Sequence, residues 1–167
     1  MNQVAVVIGG GQTLGAFLCH GLAAEGYRVA VVDIQSDKAA NVAQEINAEY
    51  GEGTAYGFGA DATSEQSVLA LSRGVDEIFG RVDLLVYSAG IAKAAFISDF
   101  QLGDFDRSAT KLGIKPDQVE QYYIDKVPLK RGCDYQDVLN MLLFYASPKA
   151  SYCTGQSINV TGGQVMF

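Results

Sequence analysis

Apolar residues in the first ninety positions fall into two alternating kinds of run. Val4–Ile8 is a continuous apolar stretch ending in three glycines, the pattern of a strand buried on both faces. Over residues 14–25, Leu14, Phe17, Leu18 and Leu22 recur at helical spacing, and Gly26 stands at the C-terminal stop. Arg28–Asp33 (RVAVVD) is a second buried strand, and Ser36 is the expected N-cap of a helix that buries Ala39, Val42, Ala43 and Ile46. Residues 54–59 read as a third strand. Thr63 or Ser64 caps a helix with Val68, Leu71, Val75 and Ile78 on one face. Residues 82–87 (VDLLVY) form a fourth strand that runs into Ser88-Ala89-Gly90. Strand and helix in this rhythm build parallel βαβ units, so the fold class is α/β, a Rossmann-like doubly wound parallel sheet.

Past Gly90 the rhythm fails. Residues 104–108 start a helix, and Pro116 opens a short one running to about Lys126. Residues 134–145 form a helix with apolar positions nearly all round, which implies burial on more than one side. Residues 156–160 read as a last short strand before Thr161-Gly162-Gly163. No internal repeat or low-complexity linker interrupts the chain. A single Rossmann-like domain is expected, with nucleotide-binding βαβ units over 1–108, a lid-like segment over 109–131 and a C-terminal helix and strand over 132–167.

Composition narrows the function classes. A chain of 167 residues with 49% hydrophobic and 19% charged residues is a globular domain, not a disordered one. A net charge of −7 argues against a nucleic-acid partner. The exception is residues 109–131, where five basic and three acidic residues leave +2 against −9 elsewhere. Three cysteines without metal-like spacing, an opening MNQVAVVIGGG without a basic leader, and no apolar run long enough for a bilayer make a cytoplasmic location the expectation, with no membrane partner. No cluster of His, Cys or carboxylates suggests a metal. His20, the only histidine, lies on the first helix and is read as structural.

The chemistry sits at the first strand–helix turn, IGGGQTLG. Glycines there let the backbone turn sharply and approach a pyrophosphate, which then rests on the helix N-terminus. Gly9, Gln12, Thr13, Leu14 and Gly15 are therefore candidate cofactor contacts. Asp33 ends the second strand 18 residues beyond Gly15, close to the offset at which an acid binds adenosine ribose hydroxyls. The same carboxylate repels a 2′-phosphate, and neither Leu14 nor Ile34-Gln35 supplies a cation to offset it, so NAD is favoured over NADP. A ligand-free tight turn and a solvated acid at a strand end are the alternatives for these two features.

Together with Asp61-Ala62-Thr63, Tyr87-Ser88-Ala89-Gly90 and Thr161-Gly162-Gly163, in that order, the glycine turn resembles the short-chain dehydrogenase/reductase family. The resemblance implies that Asp61 and Ala62 contact the adenine and that Ser88, Ala89 and Gly90 line the cofactor. The family usually has glycine where this chain has Thr13, and Asn-Asn-Ala-Gly where it has Tyr-Ser-Ala-Gly. A closer likeness inside the family, over 4–33, 84–108 and 128–167, implies oxidation of a sugar-alcohol phosphate, sorbitol 6-phosphate, to fructose 6-phosphate with NAD.

The likeness breaks between Ser108 and Ala109. In the family a Ser on a fifth strand, an Asn on the preceding helix and a Tyr-x-x-x-Lys pair on the next helix carry hydride transfer, with the Tyr as acid/base and the Lys lowering its pKa. All four fall in the missing block. Tyr122–Lys126 and Tyr145–Lys149 match the spacing, as chance allows among nine Tyr. Pro148 breaks the second, which leaves Tyr122 and Lys126 as the weak catalytic candidates. Lys111, Lys115, Lys126, Lys130 and Arg131 meet a substrate phosphate or form a solvated basic face. Without two strands of the family sheet, the last strand is expected beside the fourth, giving five strands in the order 3-2-1-4-7. The 134–145 helix and that strand are the expected homo-oligomer contact. The competing readings are an oxidoreductase by lineage that lacks its catalytic segment, and a silent nucleotide-binding or purely structural deletion product. A methyltransferase is disfavoured by Ser88-Ala89-Gly90 and Thr161-Gly162-Gly163.

Overall fold

The computed structural model of the protein describes residues 2–90 and 102–165, with side chains described from 106 onward in the second stretch. Residues 91–101, part of the stretch quoted for the closer likeness, lie outside the described residues. The contacts divide the chain into two compact units, Met1–Ile91 and Ala92–Phe167.

The first unit is the doubly wound sheet the apolar runs predict. Its elements are β1 (Val4–Ile8), α1 (Thr13–Ala24), β2 (Arg28–Asp33), α2 (Ser36–Tyr50), β3 (Ala55–Gly59), α3 (Glu65–Phe79) and β4 (Leu84–Tyr87). All pairings are parallel, in the order β3-β2-β1-β4. β1 and β2 are central, and Val4, Val7, Val29, Val31 and Val32 are fully buried. Each such side chain contributes roughly 1.5–3 kcal/mol relative to leaving it in water. On one face Val4, Val6, Ala30 and Val32 pack against Val75 and Phe79 of α3. Leu18 and Leu22 of α1 and Ile46 of α2 supply buried side chains on the helices that flank the sheet.

Local chemistry sets the element ends. Gly26 takes a positive φ of 85° just past α1. Ser64 caps α3 by accepting from the Ser67 N–H. Asn47 of α2 accepts from the Ala55 N–H and donates to the Ala55 carbonyl, both at 2.9 Å, which pins that helix to the first residue of β3. Ser36 is the first residue of α2 and not its N-cap: that position belongs to Gln35, whose side chain makes no capping bond. Val68 and Ile78 stay exposed on α3, where the sequence pattern buries them; among the described residues no strand follows β4 in the sheet to cover Val68.

The second unit is helical. It holds α4 (Leu102–Leu112), a short 3₁₀ turn (Pro116–Gln118), α5 (Val119–Lys126), α6 (Tyr135–Ala146) and a second 3₁₀ turn (Pro148–Ala150). Asp134 caps α6, accepting from the Asp137 N–H while Asp137 accepts from the Asp134 N–H. The Arg131 guanidinium holds the Asp137 carboxyl well below the usual carboxylate range.

The fifth strand is a correction. Among the described residues the sheet has four strands, and residues 156–160 are irregular and largely exposed, with Ile158 in contact with water. The order 3-2-1-4 holds; the added strand 7 does not. Ser157-Ile158-Asn159-Val160 alternates like a strand, but strand propensity is realised only against a neighbouring ladder, and here the segment belongs to a helical unit. The association surface expected from the 134–145 helix therefore has no strand to contribute. α6 itself carries Leu139 buried, Met141, Leu142 and Leu143 half-buried and Phe144 exposed.

Candidate functional site

The glycine turn joins β1 to α1 and is held first by backbone bonds. The N–H groups of Gly9 and Gly10 both donate to the Val32 carbonyl at 2.8 Å, which ties the turn to β2. Gly9 has φ 83°, and a Cβ there would lie 2.7 Å from the Ala89 nitrogen, so the turn and the end of β4 approach as only a glycine permits. A Cβ on Gly15 would lie 1.9 Å from the Gly9 carbonyl oxygen, so the first turn of α1 packs directly on the loop before it. Gln12 occupies the N-cap but its side chain makes no capping bond, leaving the first amides of α1 as open donors at the positive end of the helix.

Thr13 adopts φ 46°, a left-handed conformation unusual for a β-branched residue. Glycine, which the family resemblance leads one to expect there, takes that conformation without strain. The strain is of order 1 kcal/mol or more, partly offset in a glycine variant by added freedom in the unfolded chain. Thr13→Gly is accordingly expected to raise the urea midpoint by the equivalent of about 0.5–1 kcal/mol. An unchanged or lowered midpoint would show that the Thr13 side chain stabilises the turn by more than its backbone costs.

Asp33 lies at the mouth of the turn and is the one charged side chain buried among the described residues. Its Oδ2 accepts from the Gly11 N–H at 3.1 Å and its Oδ1 from the Gln35 N–H at 3.0 Å. These bonds fix the carboxylate plane and leave acceptor capacity on both oxygens. Asp61 follows β3 and accepts from the Thr63 hydroxyl at 2.7 Å and the Thr63 N–H at 2.8 Å, which lower its pKa. Ala62 follows it and Ser88 donates its N–H to the Ile8 carbonyl at 2.8 Å. Ala89 lies against Gly9, and Gly90 comes next with open space beside it. The structure thus brings Gly9, Gln12, Thr13, Leu14, Gly15, Asp33, Ser88 and Ala89 to the same end of the parallel sheet, where α/β folds bind ligands.

One contact escaped the sequence reading. Lys38, in the first turn of α2, donates to the Gln12 side-chain oxygen at 2.6 Å. A cation therefore stands beside the glycine turn, although none follows Asp33 directly. Its signal in the sequence was a Lys five residues after Asp33, indistinguishable from ordinary helix surface.

Tyr122 and Lys126 meet on α5: the ammonium donates to the phenol oxygen at 2.6 Å and lies 4.0 Å from the ring centroid. No strand occurs among described residues 102–165, so no strand-borne Ser precedes the pair. Tyr145 and Lys149 are separated by the end of α6 and Pro148. Of the other basic residues, Lys130 donates to the Asp125 carbonyl and Arg131 to Asp137. His20 faces Glu45 and Glu49 of α2, at 3.4 and 3.7 Å. No group of three or more metal-ligating side chains occurs among the described residues.

Comparison with known proteins bears on the whole chain. Residues 3–111 match the family described as short chain dehydrogenase, and residues 105–164 match that described as enoyl-(acyl carrier protein) reductase. The two matches overlap over residues 105–111, which include Ser108 and Ala109. The chain is 64% identical to sorbitol-6-phosphate 2-dehydrogenase of Escherichia coli (strain K12) over 259 aligned positions, spanning 100% of both proteins. That is 92 positions more than the 167 residues present, so the balance stands opposite a gap. The crystal structure of sorbitol-6-phosphate 2-dehydrogenase from Erwinia amylovora superposes with a TM-score of 0.85 at 47% identity, covering 98% of this chain and 100% of that one. A 3-ketoacyl-(acyl-carrier-protein) reductase from Brucella melitensis, complexed with NADH, gives 0.74 at 20% identity, covering 97% and 98%, and shares the fold.

Proposed function

The chain belongs to the short-chain dehydrogenase family, and from that membership we propose that it is an NAD-binding oxidoreductase fold of the sorbitol-6-phosphate dehydrogenase lineage whose catalytic segment is absent. In that lineage the reaction oxidises a CH–OH group of a sugar-alcohol phosphate. The nicotinamide, when bound, supplies the hydride acceptor.

This chain's own residues bind and orient. The open amides of α1 at Leu14 and Gly15 receive the diphosphate, and Gly9 lets the end of β4 pack against the turn. Asp33 accepts from the adenosine ribose hydroxyls. Asp61 and Ala62 flank the adenine, and Ser88 to Gly90 line the path toward the nicotinamide. The observation that carries the reading is the Asp33 carboxylate, nearly buried and oriented by the Gly11 amide beside the glycine turn. A 2′-phosphate would meet that charge at close range, which favours NAD over NADP. Lys38 is engaged by Gln12 and offsets this only in part.

Calorimetry separates the possibilities. NADH is expected to bind at least about tenfold more tightly than NADPH. Asp33→Ala is expected to lose roughly tenfold to a hundredfold in NADH affinity, the value of one or two charge-assisted hydrogen bonds. Equal binding of NADH and NADPH, or an Asp33→Ala variant that binds NADH like the parent, would contradict the assignment.

A second reading rests on the gap of 92 aligned positions and the absence of a strand among described residues 102–165. On that reading the chain holds the dinucleotide without turning it over. The apolar residues of α6 support a homo-oligomer with contacts through that helix, and a cytoplasmic location stays part of the proposed reading. Among the described residues no helix is long and apolar enough to cross a membrane.

A further inference from the structure

Among the described residues the sheet stops at β4, and the side of that strand facing α3 is exposed. Leu85 and Tyr87 are 65% and 66% exposed, whereas the residues they pair with on β1, Val6 and Ile8, are buried or nearly so. With Val68 and Leu71 of α3 and Val82, they line an open groove of about 620 Å³. Among the described residues no strand pairs with the outer edge of β4, so its backbone donors and acceptors are available for a further ladder.

We propose that this groove and edge form a two-fold interface between two copies of the chain, with β4 pairing antiparallel to the partner's β4. The charge pattern selects a second copy as the occupant. Arg73 and Asp76 line the groove one turn apart on α3, and among the described residues neither side chain has an ion pair or side-chain hydrogen bond. Arg81, also at the groove, is already bonded to Asp83. A cation and an anion so spaced are self-complementary: a two-fold axis sets each Arg73 against the Asp76 of the other copy. The axis runs perpendicular to the sheet, so both α3 helices stay on one side. The two grooves then merge into a single trough floored by two copies of Leu85 and Tyr87. The apolar patch leaves water, and the ladder continues across eight strands. No residue lining this groove belongs to α6, and the pairing does not depend on nucleotide binding.

Sedimentation of the whole chain at micromolar concentration reads the outcome. The parent is expected to form an even-numbered assembly, and Leu85→Lys, at an exposed position that leaves the fold intact by circular dichroism, is expected to halve its mass. Arg73→Asp is expected to weaken association by about tenfold or more, through facing carboxylates. Adding Asp76→Arg to it is expected to restore the parental mass. The proposal is overturned by a monomeric parent, by a charge-swapped double variant that stays dissociated, or by a mass that responds to Leu142→Lys on α6 and not to Leu85→Lys.

Discussion

A Gly15→Ala chain is expected to unfold at a markedly lower temperature than the parent and to bind no NADH. The added Cβ would stand 1.9 Å from the Gly9 carbonyl oxygen, a backbone atom with no rotamer by which to withdraw. Either the first turn of α1 lifts away from the loop or Gly9 moves, and Gly9 is itself held by the Val32 carbonyl and wedged against Ala89. Overpacking of this kind costs about 3 kcal/mol or more where nothing can relax. For a chain of this size that is a fall of roughly 6–12 °C in Tm. Gly132→Ala is the control, since that position has no neighbour within 4 Å of a Cβ, and it is expected to melt with the parent. Equal melting of the two variants would mean that the loop is not packed as described.

The second large effect concerns turnover. With sorbitol 6-phosphate and NAD the chain is expected to form NADH at least about 10³-fold more slowly than a relative that retains the Ser, Tyr and Lys, because general acid–base catalysis alone supplies roughly 10²–10⁴. Tyr122 and Lys126 are not expected to substitute for them. Their 2.6 Å contact joins two side chains on an exposed face of α5, with no strand among described residues 102–165 to present a Ser. Tyr122→Phe is thus expected to change nothing. Substantial NADH formation that Tyr122→Phe abolishes would make that pair catalytic and overturn the reading.

Much of the first unit was legible in sequence because its signals are local and agree with one another. Continuous apolar runs at Val4–Ile8 and Arg28–Asp33 are central strands. Ser64 caps α3 as its position before a helical pattern implies, and Asp33 stands at the turn where its offset from Gly15 puts it. What was hidden depends on partners distant in sequence. The exposure of Leu85 and Tyr87 follows from β4 being last in the sheet, which no window of residues records. The Lys38–Gln12 bond joins residues 26 apart on two elements. Residues 156–160 have a strand's alternation but no ladder to join, so tertiary context overrode propensity. The left-handed Thr13 was visible only as a departure from a family pattern, and its meaning came from the backbone.

The head of α1, the end of β2 and the end of β4 are expected together to hold a dinucleotide. Hydrogen–deuterium exchange of the chain with and without saturating NADH tests it by location. Slowed exchange is predicted at the amides of residues 9–15, with smaller effects at 33–35 and 88–90. If NADH leaves exchange at residues 9–15 unchanged, or protects only amides elsewhere, the claim fails.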